Sequence, residues 1–223
     1  MKRLLLLIVF LLLIPAAGLN AQDGAREIGI SVDGRNSIEI IGLVQQEGFD
    51  AIFAGYVTHI DGLPPEALFA AGTEPFARGE ATALFTFHGT GAAYIRSVLE
   101  NLTTTAINAD INFYYSEIPL GASFETLDSF AGETVIANLT ARYQTVINVQ
   151  EPNVGVFMMY GTTEQQSAAP FTLNGETVQF GRVGSIGRGE NFGQGFRASI
   201  EPLVARYLIV GNIIAPFLPV HEE

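Results

Sequence analysis

The chain has 223 residues, of which 48% are hydrophobic and 15% are charged, and it contains no cysteine. The lack of cysteine excludes disulfide bridges, thiolate metal sites and cysteine nucleophiles. Acidic residues outnumber basic ones by 23 to 11, and a surface of that sign repels nucleic-acid phosphates and anionic lipid headgroups. We therefore predict that the protein binds neither nucleic acid nor anionic membrane surfaces.

The first 21 residues differ in composition from the rest of the chain. Lys2 and Arg3 precede an unbroken apolar run over residues 4–14, and small residues lead up to Gln22. This order is typical of a cleavable signal peptide over residues 1–21. A helix needs about 20 apolar residues to cross a bilayer, and this run has only eleven. We predict a secreted or periplasmic protein with nine arginines and 23 acidic residues, hence a net charge of −14.

The remainder of the chain has the composition of one folded domain. Residues 22–36 form a polar lead-in, and residues 37–223 carry no Pro- or Ser-rich linker that would divide them. We predict a single domain that is long enough to bury a hydrophobic core without disulfides. Its apolar residues recur mainly with a period of two, which indicates strands with one buried and one solvated face.

Strands are predicted in chain order from residue 51 onwards. Residues 51–60 are apolar on both faces, whereas small or aromatic residues alternate with polar ones in residues 77–88 and 108–117. Residues 92–102 are ambiguous, because their leucines and isoleucine have helical spacing while the following residues are β-prone. We favour two strands that turn near Glu100, since local helix propensity is a weak signal between strands.

The longest alternating segment covers residues 135–149. Fully extended, fifteen residues at about 3.3 Å each would span about 50 Å, which is longer than most strands. We therefore expect a bend or bulge within it, as in a curved sheet or barrel. Residues 123–132, just before it, are expected to form one short helical turn.

Two later segments resemble residues 51–60 in being apolar on both faces. Residues 154–160 and 203–214 are therefore predicted to be buried on both sides. Between them Asn174 and Gly175 separate two short alternating runs, and this dipeptide favours a type I′ hairpin turn.

Together these segments predict an all-β fold, an antiparallel β-barrel or β-sandwich of about eight to ten strands with at most one or two short helical turns. An outer-membrane barrel is the less favoured alternative, because the chain has no Trp for the aromatic girdles of such barrels. The apolar stretch 207–220 is interrupted by Pro216 and Pro219, so no membrane span is predicted after the leader.

His59 is the histidine with the strongest indication of a role in chemistry. It lies at the end of a predicted strand, three residues after Tyr56 and two residues before Asp61. Residues i and i+2 share one strand face, so Asp61 would orient the imidazole if the strand continued. We favour the simpler interpretation, in which Asp61 and Gly62 begin a turn and His59 ends the strand.

Arg182 and Arg188 lie in a glycine-rich run that lacks the Gly-Lys-Ser/Thr ending of a phosphate-binding loop. Together with Arg197 they would form an anion-binding lip, because arginine presents a planar fork to carboxylates. In a chain of this charge we favour the alternative that these arginines pair with its own acidic residues.

Catalytic and metal-binding motifs are weakly represented. No serine lies in a Gly-x-Ser-x-Gly elbow, which excludes the best-marked serine hydrolases. A metal site built from His59, Asp61 and His88 would require a strand register that the spacing does not indicate. We therefore predict no metal and no cofactor, and we favour a non-catalytic protein while leaving an enzyme as the open alternative.

Two functional hypotheses follow. The first is an exported, soluble and non-catalytic β-domain that binds a small apolar ligand or a cell-envelope partner through Tyr56, His59, Arg182 and Arg188. The second is a barrel enzyme of the cyclase or isomerase type, in which His59 or Asp61 is the base and Tyr56 orients a substrate in an apolar cavity. A leader followed by a curved β meander is similar in topology to ligand-binding and cyclase-type barrels, and this similarity includes no motif.

Overall fold

The computed structural model describes residues 24–215, so the predicted signal peptide lies outside the described residues. The strands are β1 Arg26–Ile28, β2 Ile38–Glu47, β3 Asp50–Ile60, β4 Phe85–Leu99, β5 Leu102–Tyr115, β6 Val135–Glu151, β7 Val154–Ala168, β8 Pro170–Leu173, β9 Glu176–Phe180, β10 Ile186–Ile200 and β11 Leu203–Ile214. Three 3-10 turns lie between strands, at Pro65–Leu68, Pro75–Ala77 and Leu127–Phe130. Over residues 24–215 there is no helix with the length and hydropathy of a membrane span.

Eight strands close into an antiparallel barrel in the order β10-β11-β2-β3-β4-β5-β6-β7. Strands β2 to β7 form a meander, β7 then pairs with β10, and β11 closes the barrel against β2. The hairpin of β8 and β9 belongs to a separate sheet with β1, a strand within the predicted polar lead-in, and Phe180 of this sheet stacks on the inward Phe113 of the barrel. The predicted all-β fold is confirmed, and the architecture is a barrel rather than a sandwich.

Strand β6 illustrates how the alternating sequence produces the barrel. Ala137, Leu139 and Tyr143 are buried inside it, whereas Thr140 and Arg142 lie between them on the exposed outer face. The strand has 17 residues, and two register shifts in its ladder with β7 provide the bend that its length requires.

The turns that the sequence predicted are present. Residues 92–102 belong to the β4–β5 hairpin, in which Leu99 pairs with Leu102 and Glu100 has a φ of 53°. Asn174 and Gly175 connect β8 and β9 with φ values of 52° and 83°, as a type I′ turn requires. The predicted helical turn before β6 is the 3-10 turn Leu127–Phe130.

The barrel interior depends on glycines where strands approach an aromatic ring. A Cβ atom on Gly55 would lie 2.2 Å from the Ile41 carbonyl oxygen and 2.7 Å from the Phe87 ring, and one on Gly42 would lie 2.8 Å from the same ring. No side chain fits at such distances. The two glycines therefore make room for Phe87 between β2 and β3.

Two-sided burial was predicted for three segments and is found in one. In β3 the outward-facing Tyr56 is covered by Phe69 and Phe124 from the connecting loops, so residues 51–60 are buried on both faces. The prediction is wrong for residues 154–160 and 203–214, because outward residues such as Met158 and Val210 remain 42% and 52% exposed. No described loop covers that sector of the barrel.

Substitution of Phe53, which is 2% exposed inside the barrel, tests the packing of the interior. We expect Phe53→Ala to lower the free energy of unfolding by about 3–5 kcal/mol, because it removes apolar contacts and leaves a cavity. Urea unfolding followed by circular dichroism measures the change. Phe76→Ala is the matched control, since Phe76 is 105% exposed, and a loss of equal size in both variants would contradict the assignment.

Candidate functional site

The interior of the barrel has little free space. Two cavities of about 20 Å³ each lie among inward side chains such as Phe53, Phe157 and Met159, and one of about 80 Å³ lies beside Arg96 and Arg197. The smaller ones have room for one or two water molecules. Organic ligands occupy pockets of about 300–1,000 Å³, so the interior offers no space of that size.

Tyr143 is the ionisable side chain that lies deepest in this interior. Its side chain is 4% exposed, and burial raises the pKa of the Tyr143 phenol to about 12, because the charged phenolate would lose its hydration. The neutral phenol therefore belongs to the packed core at every pH at which the protein would normally work.

Tyr56, His59 and Asp61 lie close together in sequence but are not arranged as a catalytic group. Tyr56 is buried on the outer face of β3 between Phe69 and Phe124, and desolvation, followed by the charge of Glu80, raises the pKa of its phenol. Strand β3 ends at Ile60, so Asp61 begins the turn, as the favoured interpretation had it.

The strand register gives His59 a different carboxylate neighbour. His59 lies directly opposite Glu39 of β2, and Glu39 accepts a hydrogen bond of 2.8 Å from the Asn36 amide. Residues directly opposite on one face have Cβ atoms about 5 Å apart, so Glu39 rather than Asp61 is the acid beside the imidazole. Neither His59 nor Glu39 lines any of the three inner cavities.

The predicted anion-binding arginines are held apart in the structure. Arg182 donates to both carboxylate oxygens of Glu27, at 2.8 and 2.7 Å, and this fork joins β1 to the segment after β9. Arg188 lies on the outer face of β10. Arg197 lies nine residues further along β10, about 30 Å away, and donates to the Asn153 side chain at 3.1 Å.

Over residues 24–215 a groove of about 1,200 Å³ lies on the outer face of the barrel and is far larger than the inner cavities. It follows two adjacent rows of outward residues across the ladders of β2 to β7 and ends at Ile186 of β10. We call it the outer groove. Its principal polar lining residues are Glu47, Asp50, Thr90, Asn108, Asp110, Thr140, Arg142, Thr162 and Glu164.

The outer groove carries four carboxylates and one arginine. Asp110 and Glu164 lie on either side of Thr140 in one register row, about 10 Å apart across two strand spacings. Neither forms a salt bridge with another residue between 24 and 215, and the same holds for Glu47 and Asp50.

Hydrogen bonds fix two charged groups of the outer groove. The Asn138 amide donates to Asp110 Oδ1 at 2.7 Å and to Asn112 Oδ1 at 2.9 Å, so that it holds the Asp110 carboxylate in place. Arg142 Nε donates to the Tyr94 hydroxyl at 3.0 Å. Among residues 24–215 no cluster of three or more histidine, aspartate or glutamate side chains is suited to a metal ion.

The outer groove was missed from the sequence, although its signal was present there. Thr140 and Arg142 belong to the polar face of residues 135–149, and Asp110 to the polar face of residues 108–117. Each alternation by itself indicates only a solvated face. The grouping depends on the register of six ladders, which the sequence does not specify.

The buried phenol of Tyr143 leads to a pH-dependent prediction. Between pH 10 and 12 the unfolded chain loses the phenolic proton while the folded chain keeps it, so the free energy of unfolding falls as pH rises. We expect wild type to lose about 1.4 kcal/mol more than Tyr143→Phe between pH 8 and pH 11. Urea unfolding of both proteins at each pH measures the difference, and equal losses would contradict the burial of the phenol.

Comparisons with known proteins give no further guidance on this arrangement. The chain matches no protein-family model, no curated protein and no solved structure.

Proposed function

We propose that this protein is an exported, non-catalytic binding domain whose outer groove binds a positively charged, extended segment of a cell-envelope partner. The observation that carries the proposal is the set of four carboxylates in one groove, none of which forms a salt bridge with a cation of the described chain. A cationic segment would supply the missing counter-charges.

The size and lining of the outer groove support an extended polar occupant over a small apolar one. Its volume of about 1,200 Å³ exceeds the about 300–1,000 Å³ of typical small-molecule pockets. Thr90, Asn108, Thr140 and Thr162 provide hydrogen-bonding groups along it, and such groups suit the N–H and C=O groups of a peptide backbone.

The charge of the whole chain favours the same class of partner. Apart from Lys2 the sequence has no lysine, and acidic residues exceed basic ones by 12 in the full chain. A field of this sign accelerates the encounter with a cationic partner and disfavours an anionic one. Arg142 in the outer groove is held by the Tyr94 hydroxyl, and its single charge leaves the groove with a net charge of −3.

Binding of a fluorescent octalysine peptide tests the proposal. We expect the double variant Asp110→Asn and Glu164→Gln to raise the Kd at least about tenfold, because each lost charge contributes on the order of 1 kcal/mol in a partly screened groove. Fluorescence anisotropy at low and at physiological salt measures the Kd, which should itself increase with salt.

The matched control is the double variant Glu125→Gln and Glu133→Gln, which removes the same net charge from exposed positions outside the outer groove. We expect this control to change the Kd by less than about twofold. Equal weakening by both double variants would mean that the peptide responds only to net charge. Absence of peptide binding by the wild-type protein would also overturn the proposal.

A further inference from the structure

One apolar sector of the outer face, on β3, is covered by loops, whereas another, on β7, β10 and β11, is not. On β3 the loops that carry Phe69, Phe124 and Phe130 pack over Tyr56 and its neighbours. On β7, β10 and β11 the outward apolar residues have no such cover among residues 24–215. These residues, Val156, Met158, Phe192, Phe196, Leu208 and Val210, are called the β7–β10–β11 face.

The β7–β10–β11 face is contiguous. Met158, Phe192 and Val210 lie opposite one another in a single register row across three strands. In the adjacent row Val156 and Leu208 lie on either side of the exposed Gln194. Its six residues are between 41% and 52% exposed, which leaves roughly 500 Å² of apolar surface uncovered. This is near the upper end of what monomers expose, and with its polar rim it approaches the about 800 Å² per partner of a stable interface.

Charges of opposite sign lie at the two ends of this face. Glu190 of β10 is paired in register with Asn212, and Arg206 of β11 is paired with Phe196, six positions further along β10. The two charges are therefore about 20 Å apart along the strands, with the apolar residues between them. Neither forms a salt bridge within the described part of the chain.

We propose that two copies of this chain pack through the β7–β10–β11 face about a two-fold axis that crosses β10 and β11 midway between Glu190 and Arg206. A two-fold interface brings the same patch of both copies together. Because this axis is perpendicular to the strands, β10 and β11 of one copy run opposite to those of the other. Glu190 of each copy therefore lies near Arg206 of the other copy, and the interface contains two such ion pairs. Phe192, Leu208 and Val210 are buried at its centre.

The sequence pattern supports a permanent cover over this face. The middle parts of β4 to β6 have outward Thr, Asn, Arg and Gln residues, as a solvated face requires, whereas the outer face carries Val156 and Met158 in the first half of β7 and Leu208 and Val210 in the middle of β11. Glu190 is the one acidic residue on the outer face of β10 and β11, and it lies at the edge of the apolar residues. The other acidic residues of the described chain lie outside this face, so their repulsion between two copies is weakened by salt.

Sedimentation velocity of the full chain after export and purification, from about 1 to 100 µM, tests the proposal. We expect a species of twice the monomer mass, and we expect Val210→Asp to raise the dimer dissociation constant at least about 100-fold. Val183→Asp is the matched control, because Val183 is 59% exposed outside the face, and it should leave the constant unchanged. Circular dichroism establishes that both variants fold.

Exchanging the charges of Glu190 and Arg206 tests whether a second copy of the chain, rather than a lipid surface or another segment, covers the face. Glu190→Arg and Arg206→Glu should each raise the dissociation constant about tenfold, and the variant that carries both should recover to within about threefold of wild type. Recovery requires that the two residues meet across the interface. Failure of the double variant to recover would overturn the proposed axis.

A monomer at about 100 µM, or a dimer that survives Val210→Asp, would overturn the proposal. Two further measurements on such a monomer then identify the cover. Flotation with zwitterionic lipid vesicles would indicate a lipid surface. Increased binding of an apolar dye after removal of residues 216–223 would indicate that the chain's own end, which continues from β11, covers the face.

Discussion

The closure of an eight-stranded barrel is the constraint on which the rest of this structure depends. An interior of this size is just filled by side chains, so every inward position must match its neighbours in volume. Phe87 is accommodated because Gly42 and Gly55 have no side chain in its way. The same constraint leaves inner cavities of at most about 80 Å³, and the outer face becomes the place for recognition.

The outer face is divided into regions of different chemistry. The β3 sector is covered by loop aromatics, the outer groove crosses β2 to β7 with its carboxylates, and the β7–β10–β11 face is apolar. The outer groove and this face share one register row, in which Phe196 and Arg206 continue into Gln45 of the groove, so a dimer through this face places the β2 end of each groove beside the interface. A dimeric binding domain would therefore present two grooves to one multivalent partner, which strengthens binding without new contacts.

The predicted site residues show how far a single sequence leads. The turn at Asp61 followed from the Asp-Gly dipeptide. The excess of acids predicted acidic partners for three arginines, and among the salt bridges of residues 24–215 this is found for Arg182, which pairs with Glu27, but not for Arg188 or Arg197. The neighbour of His59 did not follow from the sequence, because Glu39 comes from another strand and from a ladder with an irregular register. Asp110 and Glu164 are 54 positions apart in the sequence, and only the pairing of β5 and β7 with β6 brings them into one row.

Local pattern did not predict β1, β2 or β10, and it placed a strand over residues 77–88 where β4 begins only at Phe85. It did determine the other strands, the hairpins at Glu100 and Asn174, and the all-β class. These features depend on alternation and on turn residues, which act over a few neighbouring positions. Tertiary structure decided that β11 closes on β2, that loops cover one apolar sector and not another, and which acids share the outer groove. Those outcomes depend on strand register and on contacts between distant residues, and a period-two pattern contains no information about either.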